Sequence, residues 1–295
     1  MTTRGMSIRS CDRSELEPVL NALELSDRQL LGKYIDLGFE KAYNVYLAAG
    51  NPRLVVKLED GQAVVYERWL DGQPDLPVPQ LLGTAVVDGH TWHAFEERGG
   101  EDLQCLRRET ATAAGKGLAR LHARFWSESP ATNVNGTRAE KFALVAKHLP
   151  SLSVALTELA DRAASAPSTL CENDLLPMNV LWDGHDATII DFGHADISPY
   201  FGDPARFVAF GKPEGGYYAQ PTDAREEFLT QYFEIIRSMP GTTLDRARFD
   251  RDIALGEIAE LSLVLATHIR RTTKLADVAS QPEFERVLQL AHTLG

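Results

Sequence analysis

The chain has 295 residues, of which 44% are hydrophobic and 24% are charged, a composition typical of a folded globular protein. The formal net charge of −12 argues against a general nucleic-acid binder, because contacts to phosphates need clustered Lys and Arg. No stretch approaches the roughly 18 consecutive apolar residues of a membrane-spanning helix. The length allows one large domain or two lobes with a sizeable core.

The cysteines and the amino terminus indicate the compartment. Cys11, Cys105 and Cys171 are scattered and lack C-x-x-C or metal-ligand spacing, so we expect reduced thiols. The segment Met1–Ser10 contains arginines but no apolar core, unlike a secretory signal. We therefore expect a cytoplasmic protein, a monomer or homodimer, that binds neither membranes nor nucleic acids. The acidic charge favours solubility and could also steer a cationic substrate.

The first third of the chain reads as a helix followed by a small sheet. Apolar residues at helical spacing over Asp12–Leu31 predict a leading helix. Short apolar runs bounded by Gly, Pro and Asn then predict strands. Their order describes an antiparallel sheet that carries one helix. The predicted elements are the strands Tyr34–Leu37, Tyr43–Ala48 and Leu54–Leu58, the helix Gln62–Leu70, and the strands Leu81–Val87 and Thr91–Glu97.

Beyond Arg98-Gly99-Gly100 the pattern becomes helical, with a short β interlude at 169–191. The sequence therefore predicts an α+β fold, with a mostly β amino-terminal lobe at 1–97 and a larger, mostly helical lobe at 98–295. Ligands are expected between such lobes. The predicted helices are Glu109–Trp126, Arg138–His148, Leu152–Ala164, Asp223–Ser238 and Arg246–Leu275.

The β interlude contains the most informative residues. Two apolar runs, Val180–Trp182 and Thr188–Ile190, flank a turn and predict a hairpin. If paired residue numbers sum to 370, Asn179 and Asp191 lie side by side at its open end. Amide and carboxylate oxygens are hard ligands, which suit Mg²⁺ carrying phosphate oxygens. The hairpin therefore predicts a metal site.

Asp174 lies five residues before Asn179, on a loop bent by Pro177. From there it could orient an acceptor hydroxyl and accept its proton. The alternative is a surface loop with capping acids, a common use of Asp and Asn. The order and spacing of Asp174, Asn179 and Asp191 favour a kinase-type catalytic loop.

Asp174-Leu-Leu-Pro-Met-Asn179, followed by Ile190-Asp191-Phe192-Gly193, closely resembles the signature of the aminoglycoside phosphotransferase and choline kinase-like family. The resemblance can be followed over roughly residues 34–210. It implies a bilobal protein kinase-like fold, with Asp174 as catalytic base and Asn179 and Asp191 as Mg²⁺ ligands. It also implies ATP, or GTP, as the phosphoryl donor. Gly202-Asp203-Pro204 resembles the family segment whose structural aspartate anchors the loop after the metal site; a helix N-cap is the alternative, and both could hold.

Lys57 lies inside an apolar predicted strand, and Glu67 follows ten residues later on a predicted helix. A strand lysine paired with a helix glutamate would bind the α- and β-phosphates of a nucleotide. The alternative is an edge-strand lysine facing solvent. Glu59 is a weaker partner, because it shares the strand with Lys57.

Two further segments are assigned to the nucleotide. Glu97-Arg-Gly-Gly-Glu-Asp-Leu103 resembles the family's hinge, and Glu96, Glu97 and Arg98 are expected to offer backbone groups to an adenine edge. Gly38–Tyr46 lies where a loop over the phosphates is expected, but it lacks the G-x-G-x-x-G pattern, and an ordinary hairpin turn is the alternative.

One departure from the family concerns Glu172 and Asn173, which stand where the family has His and Gly. The expected function is a small-molecule kinase, acting on an aminoglycoside-like antibiotic or on a metabolic sugar, amino alcohol or nucleoside. The departure leaves a catalytically silent nucleotide-binding protein as an alternative, and a plain interaction domain as another.

Overall fold

The structure is a computed structural model that describes residues 6–36, 41–58, 61–127, 129, 136–215, 218–271 and 278–294. The chain divides into two compact units, one of residues 1–100 with 188–194 and one of residues 101–187 with 195–295. A six-stranded antiparallel sheet and a mostly helical part confirm the predicted α+β class. The sequence predicted a division after residue 97. In the structure the first unit continues to residue 100 and also contains the segment 188–194, which is distant in sequence.

The first unit is built on the sheet, whose strands follow the order β1-β2-β3-β4-β6-β5. Tyr46, Val56 and Ala94 are cross-strand neighbours on three adjacent strands, and all three are buried in one core cluster. Successive side chains of a strand point to opposite faces, so Lys57 points away from this cluster. The strands are β1 Met6–Arg9, β2 Leu30–Asp36, β3 Lys41–Ala48, β4 Leu54–Leu58, β5 Leu81–Val87 and β6 His90–Glu96.

The leading helix predicted over Asp12–Leu31 is wrong in its length, because helix α1 covers only Glu17–Ala22. Glu24 has a φ of 58°, and a left-handed residue stops a helix. The N–H of Leu25 then donates to the carbonyl of Leu20 over 2.7 Å, which closes the helix end. Leu20 is fully buried in the core cluster, so the short helix still covers the sheet.

Helix α2, Gln62–Val65, continues as a π-helical turn over Tyr66–Leu70. Tyr66 is buried, and its ring lies 5.0 Å from that of Phe95 and 6.2 Å, edge-on, from that of Phe192. Burial raises the pKa of the Tyr66 hydroxyl, which donates to the Pro79 carbonyl. Aromatic packing therefore joins the segment 188–194 to the first unit.

In the second unit, helix α8 packs against α4, α5, α6 and α9, while α3 packs against α7. Strand β7 pairs with β9, and β8 pairs with β11, both antiparallel. The helices are α3 Arg108–Arg124, α4 Gly136–His148, α5 Ser153–Ala163, α6 Gly202–Ala209, α7 Thr222–Ile236, α8 Arg246–Arg271 and α9 Pro282–Leu294. The remaining strands are β7 Glu101–Asp102, β8 Ser168–Cys171, β9 Val180–Trp182, β10 Ala187–Ile189 and β11 Asp196–Pro199.

Helices α6 and α8 approach each other closely at Gly256. A Cβ added there would lie 2.4 Å from the Cβ of Ala205 and 3.2 Å from the ring of Phe201. Glycine is therefore required by the helix contact. Across the described ranges, no helix combines the length and apolarity needed to cross a bilayer.

Candidate active site

The loop after strand β8 holds the predicted base. All four residues of β8 are buried, and the chain leaves the strand through Glu172 and Asn173, the latter with a φ of 65°. The buried carboxylate of Asp203 accepts the N–H groups of both residues, over 2.7 Å and 2.9 Å. Asp203 therefore fixes the backbone immediately before Asp174, whereas the sequence predicted that it anchors the loop after the metal site.

Asp203 is itself part of a buried hydrogen-bond network. His122 Nε2 lies 3.2 Å from Asp203 Oδ2, and His122 Nδ1 lies 2.7 Å from the hydroxyl of Tyr232. That hydroxyl donates to the carbonyl of Tyr200 over 3.0 Å. Burial raises the pKa of Tyr232 well above its ordinary value, which keeps the hydroxyl protonated as a donor. The network makes the support of the loop rigid, since satisfied buried polar groups resist rearrangement.

His122, Cys171 and Asp203 bring a ring nitrogen, a thiol and a carboxylate within 4.8 Å of one another. The Cys171 thiol lies 3.6–3.7 Å from the carbonyls of Ser198 and Pro199, and burial raises its pKa well above the ordinary value. A neutral thiol is a poor metal ligand. With His122 and Asp203 engaged in hydrogen bonds, this cluster supports the fold.

Asp174 is held through its backbone as well as its side chain. Its N–H donates to Glu172 Oε2 over 2.8 Å, and its carbonyl accepts from Asn179 Nδ2 over 3.2 Å. Glu172 is fully buried, so it supports the loop geometry at the position where the family has His. Because the amide nitrogen of Asn179 is used in this way, the amide oxygen is the atom left to bind a cation.

Arg206, on α6, was not predicted as a site residue. Its guanidinium donates to Asp174 Oδ1 through one nitrogen and to Glu260 Oε2, on α8, through another. Arg138, on α4, lies 3.4 Å from Glu260 Oε1. Arg206 therefore contacts two residues, Asp174 and Glu260, that lie 32 and 54 positions away from it in the sequence. A sequence pattern of local spacing contains no signal for such contacts.

The predicted hairpin around residues 180–190 contains strands β9 and β10. Its turn is closed by a hydrogen bond from the N–H of Asp183 to the carbonyl of Asp186, 3.2 Å long. Asn179 and Asp191 belong to different units. Their joint binding of one metal ion therefore stays a prediction.

Lys57 and Asp191 come together within the first unit. Lys57 Nζ lies 2.7 Å from Asp191 Oδ1, and the side chains are 13% and 49% exposed. Asp191 has a φ of 71°, and the neighbouring Phe192 is buried against Tyr66. The predicted partner of Lys57, Glu67, is exposed on the π-helical turn, so their pairing stays a prediction. Glu59 lies outside the described residues.

The segment Glu96–Arg98 ends strand β6. The N–H groups of Glu96 and Glu97 donate to the carbonyls of Gln80 and Arg53, over 2.9 Å and 2.8 Å. The two side chains form ion pairs, Glu97 with Arg53 and Glu96 with Arg98. These N–H groups are therefore engaged within the protein, and a backbone contact of Glu96, Glu97 and Arg98 with adenine stays a prediction. The first residues of the predicted phosphate loop Gly38–Tyr46, residues 38–40, lie outside the described part of the chain, and the remainder belongs to strand β3.

In the first unit, Lys57 lies against the Asp191-Phe-Gly turn. In the second unit, buried carboxylates anchor the loop that contains Asp174. These two features are those of a kinase-type phosphotransferase. The model of the APH family, described as the phosphotransferase enzyme family, matches residues 37–238. The chain belongs to this family, which confirms the resemblance, and it is therefore a phosphotransferase.

Similar solved structures support the fold. An amicoumacin kinase in complex with AMP-PNP and Ca²⁺ is 13% identical, with a TM-score of 0.62, covering 96% of this chain and 94% of its own. The choline kinase LicA from Streptococcus pneumoniae is 15% identical, with a TM-score of 0.60 and coverage of 95% and 97%. An aminoglycoside-3′-phosphotransferase of type VIII is 20% identical, with a TM-score of 0.52 and coverage of 78% and 93%. No curated protein sequence matches the chain.

Proposed function

We propose that this phosphotransferase moves the γ-phosphoryl group of ATP, with Mg²⁺, to a hydroxyl of a small molecule. The observation that carries the proposal is the geometry of Asp174. Its backbone is fixed by Glu172 and Asn179, and its carboxyl group is 36% exposed and therefore accessible to an acceptor. A general base must be both held in position and reachable.

In the proposed reaction, the acceptor oxygen forms a bond to the γ-phosphorus as the bond to the β-phosphate oxygen breaks. The hydroxyl proton passes to Asp174, and the electron pair leaves with ADP. Positioning the acceptor and balancing the charge of the transferred group supply most of the rate enhancement.

The proposed metal ligands are Asn179 and Asp191. An amide oxygen and a half-exposed carboxylate are hard oxygen donors, so the donor set fits Mg²⁺. Bound there, the ion would neutralise charge on the phosphate oxygens. Lys57 is the proposed cation for the α- and β-phosphates, and its ion pair with Asp191 holds it in the first unit beside the proposed ligand.

The first candidate acceptor is an aminoglycoside-like cation, which the net charge of −12 would attract. The similar structures include kinases named for an aminoglycoside, for amicoumacin and for choline. The test therefore measures consumption of ATP and of GTP, with Mg²⁺, against aminoglycosides, other hydroxylated antibiotics, amino alcohols, sugars and nucleosides.

The matched control for this test is Asp174→Asn, which keeps the size of the side chain but removes the base. We expect turnover with one acceptor class and a loss of about 100-fold or more in kcat in the variant, the range assigned to general base catalysis. Nucleotide binding without turnover for any acceptor would instead support the catalytically silent alternative that Glu172 and Asn173 raise.

A further inference from the structure

One face of helix α6 holds three consecutive residues of the catalytic loop. Asp203 and Arg206 are three positions apart, so they lie on the same side of the helix. Asp203 accepts the N–H groups of Glu172 and Asn173. Arg206 binds the side chain of the next residue, Asp174. Helix α6 therefore binds both the backbone of the two residues before Asp174 and the side chain of Asp174.

The guanidinium of Arg206 is also fixed from the other side. Glu260 is 4% exposed and binds Arg206 through Oε2 and Arg138 through Oε1. Burial opposes the charge of Arg206, but the carboxylates of Glu260 and Asp174 outweigh it and raise the pKa of the guanidinium. The close contact of α6 and α8 at Gly256, one turn before Glu260, keeps the two helices at this distance. Arg206 is thus a rigid, permanently charged donor.

Arg206 occupies one oxygen of the Asp174 carboxylate. The guanidinium binds Oδ1, while Oδ2 has no donor among the described residues of the protein. A carboxylate held by one oxygen in this way has a defined rotamer, and its second oxygen has a defined direction. An unheld carboxylate at the surface would sample several rotamers.

We propose that Arg206 is a positioning residue that holds Asp174 Oδ1, so that Oδ2 receives the proton of the acceptor hydroxyl. This role rests on the proposed function, because it assigns Asp174 as the base. Glu260 supports it by fixing the guanidinium from α8.

The experiment compares wild type with Arg206→Gln, Arg206→Lys and a matched control, Arg225→Gln. Arg225 is also a partly buried arginine, 24% exposed against 19% for Arg206, and it binds a different buried glutamate of α8, Glu257. Both glutamine variants remove a guanidinium from a buried carboxylate. Only Arg206→Gln releases Asp174.

We expect Arg206→Gln to lower kcat by about 10- to 100-fold, the size of effect that misplacement of a catalytic group produces. KM for the nucleotide is expected to stay unchanged, because Arg206 contributes to the transition state rather than to nucleotide binding. Arg206→Lys should recover part of the loss, because an ammonium keeps the charge but lacks the fork that spans two carboxylates. Arg225→Gln should lower Tm by about as much as Arg206→Gln does and leave kcat unchanged.

The wild type and Asp174→Asn are measured first with the same acceptor. If the wild type turns over and Arg206→Gln keeps full kcat, the role of Arg206 is overturned while the proposed function stands. Equal losses of kcat in Arg206→Gln and Arg225→Gln also overturn it, because they would reflect stability alone. If the wild type is inert with every acceptor, the proposed function fails and the role of Arg206 fails with it.

Discussion

At the scale of single residues, three consecutive N–H groups of the catalytic loop are each accepted by a carboxylate. Asp203 accepts those of Glu172 and Asn173, and Glu172 accepts that of Asp174. A charged acceptor gives a stronger hydrogen bond than a neutral one. The loop is therefore held without the histidine that the family places at position 172.

Glu172 is the residue at which this support can be tested. Removal of its side chain in Glu172→Ala leaves the N–H of Asp174 without its acceptor, at a cost of about 1–3 kcal/mol in the free energy of unfolding. We also expect kcat to fall by roughly 10-fold or more, because the base is displaced. Urea unfolding and steady-state kinetics measure the two effects.

Glu172→Gln is the matched control, since its amide oxygen can accept the same hydrogen bond. It should retain most of both the stability and the turnover. A variant Glu172→Ala with unchanged kcat would show that the base does not depend on this contact.

The same residues show how much of the candidate site can be predicted from local sequence. Asp174, Asn179 and Asp191 could be predicted from the sequence because the proposed chemistry needs such residues at short, ordered spacings. Arg206 and Glu260 reach the site only through the packing of α6 on α8, and their positions relative to Asp174 are set by the fold. No periodicity or motif within either helix indicates that contact.

At the scale of secondary-structure elements, the contact of α6 with α8 decides where Arg206 and Glu260 lie. Gly256→Ala adds a Cβ at 2.4 Å from the Cβ of Ala205, so the helices must separate. Overpacking costs about 1–3 kcal/mol. Helix propensity offsets about 1 kcal/mol of it, so we expect the free energy of unfolding to fall by up to about 2 kcal/mol.

The matched control is Gly202→Ala, on α6, where an added Cβ meets no atom within 4 Å. Its stability, measured by urea unfolding, should stay within about 1 kcal/mol of wild type. Equal stability of Gly256→Ala and wild type would mean that the helices can move apart without cost.

Element prediction succeeded where the pattern was strong and local. The strand Leu54–Leu58 and the start of α8 at Arg246 are confirmed. The leading helix was too long because the apolar spacing of α1 continues into Leu30 and Leu31, which belong to strand β2. Glu24, which lies between them, is a left-handed residue that is not glycine, so the sequence contains no glycine to mark the end of the helix.

At the scale of the whole molecule, the reactivity of the three cysteine thiols can be used to probe each of the two units separately. Cys105 is exposed, whereas Cys171 is buried in the second unit, and burial raises its pKa well above the ordinary value. Cys11, in the first unit, is partly buried, and its pKa is also raised, mainly by burial. A higher pKa leaves less thiolate at pH 8, and the thiolate is the reactive form.

We therefore expect iodoacetamide to modify Cys105 first, Cys11 more slowly, and Cys171 only when the second unit opens. Mass spectrometry of peptides after timed labelling measures the order, and Cys105→Ser should remove the fast phase alone. Labelling of Cys171 at the rate of Cys105 in native protein would contradict the buried position of β8.

The membership of residues 188–194 in the first unit has a consequence for dissecting the protein. The chain passes between the units at residues 100–101, 187–188 and 194–195, so a single cut near residue 100 separates Tyr66 from Phe192 and Lys57 from Asp191. A fragment of residues 1–100 would expose an aromatic surface and would lack the carboxylate of Asp191 that pairs with Lys57. Split-protein complementation or lobe exchange between homologues would therefore succeed only if this heptapeptide is kept with residues 1–100, the rest of its compact unit.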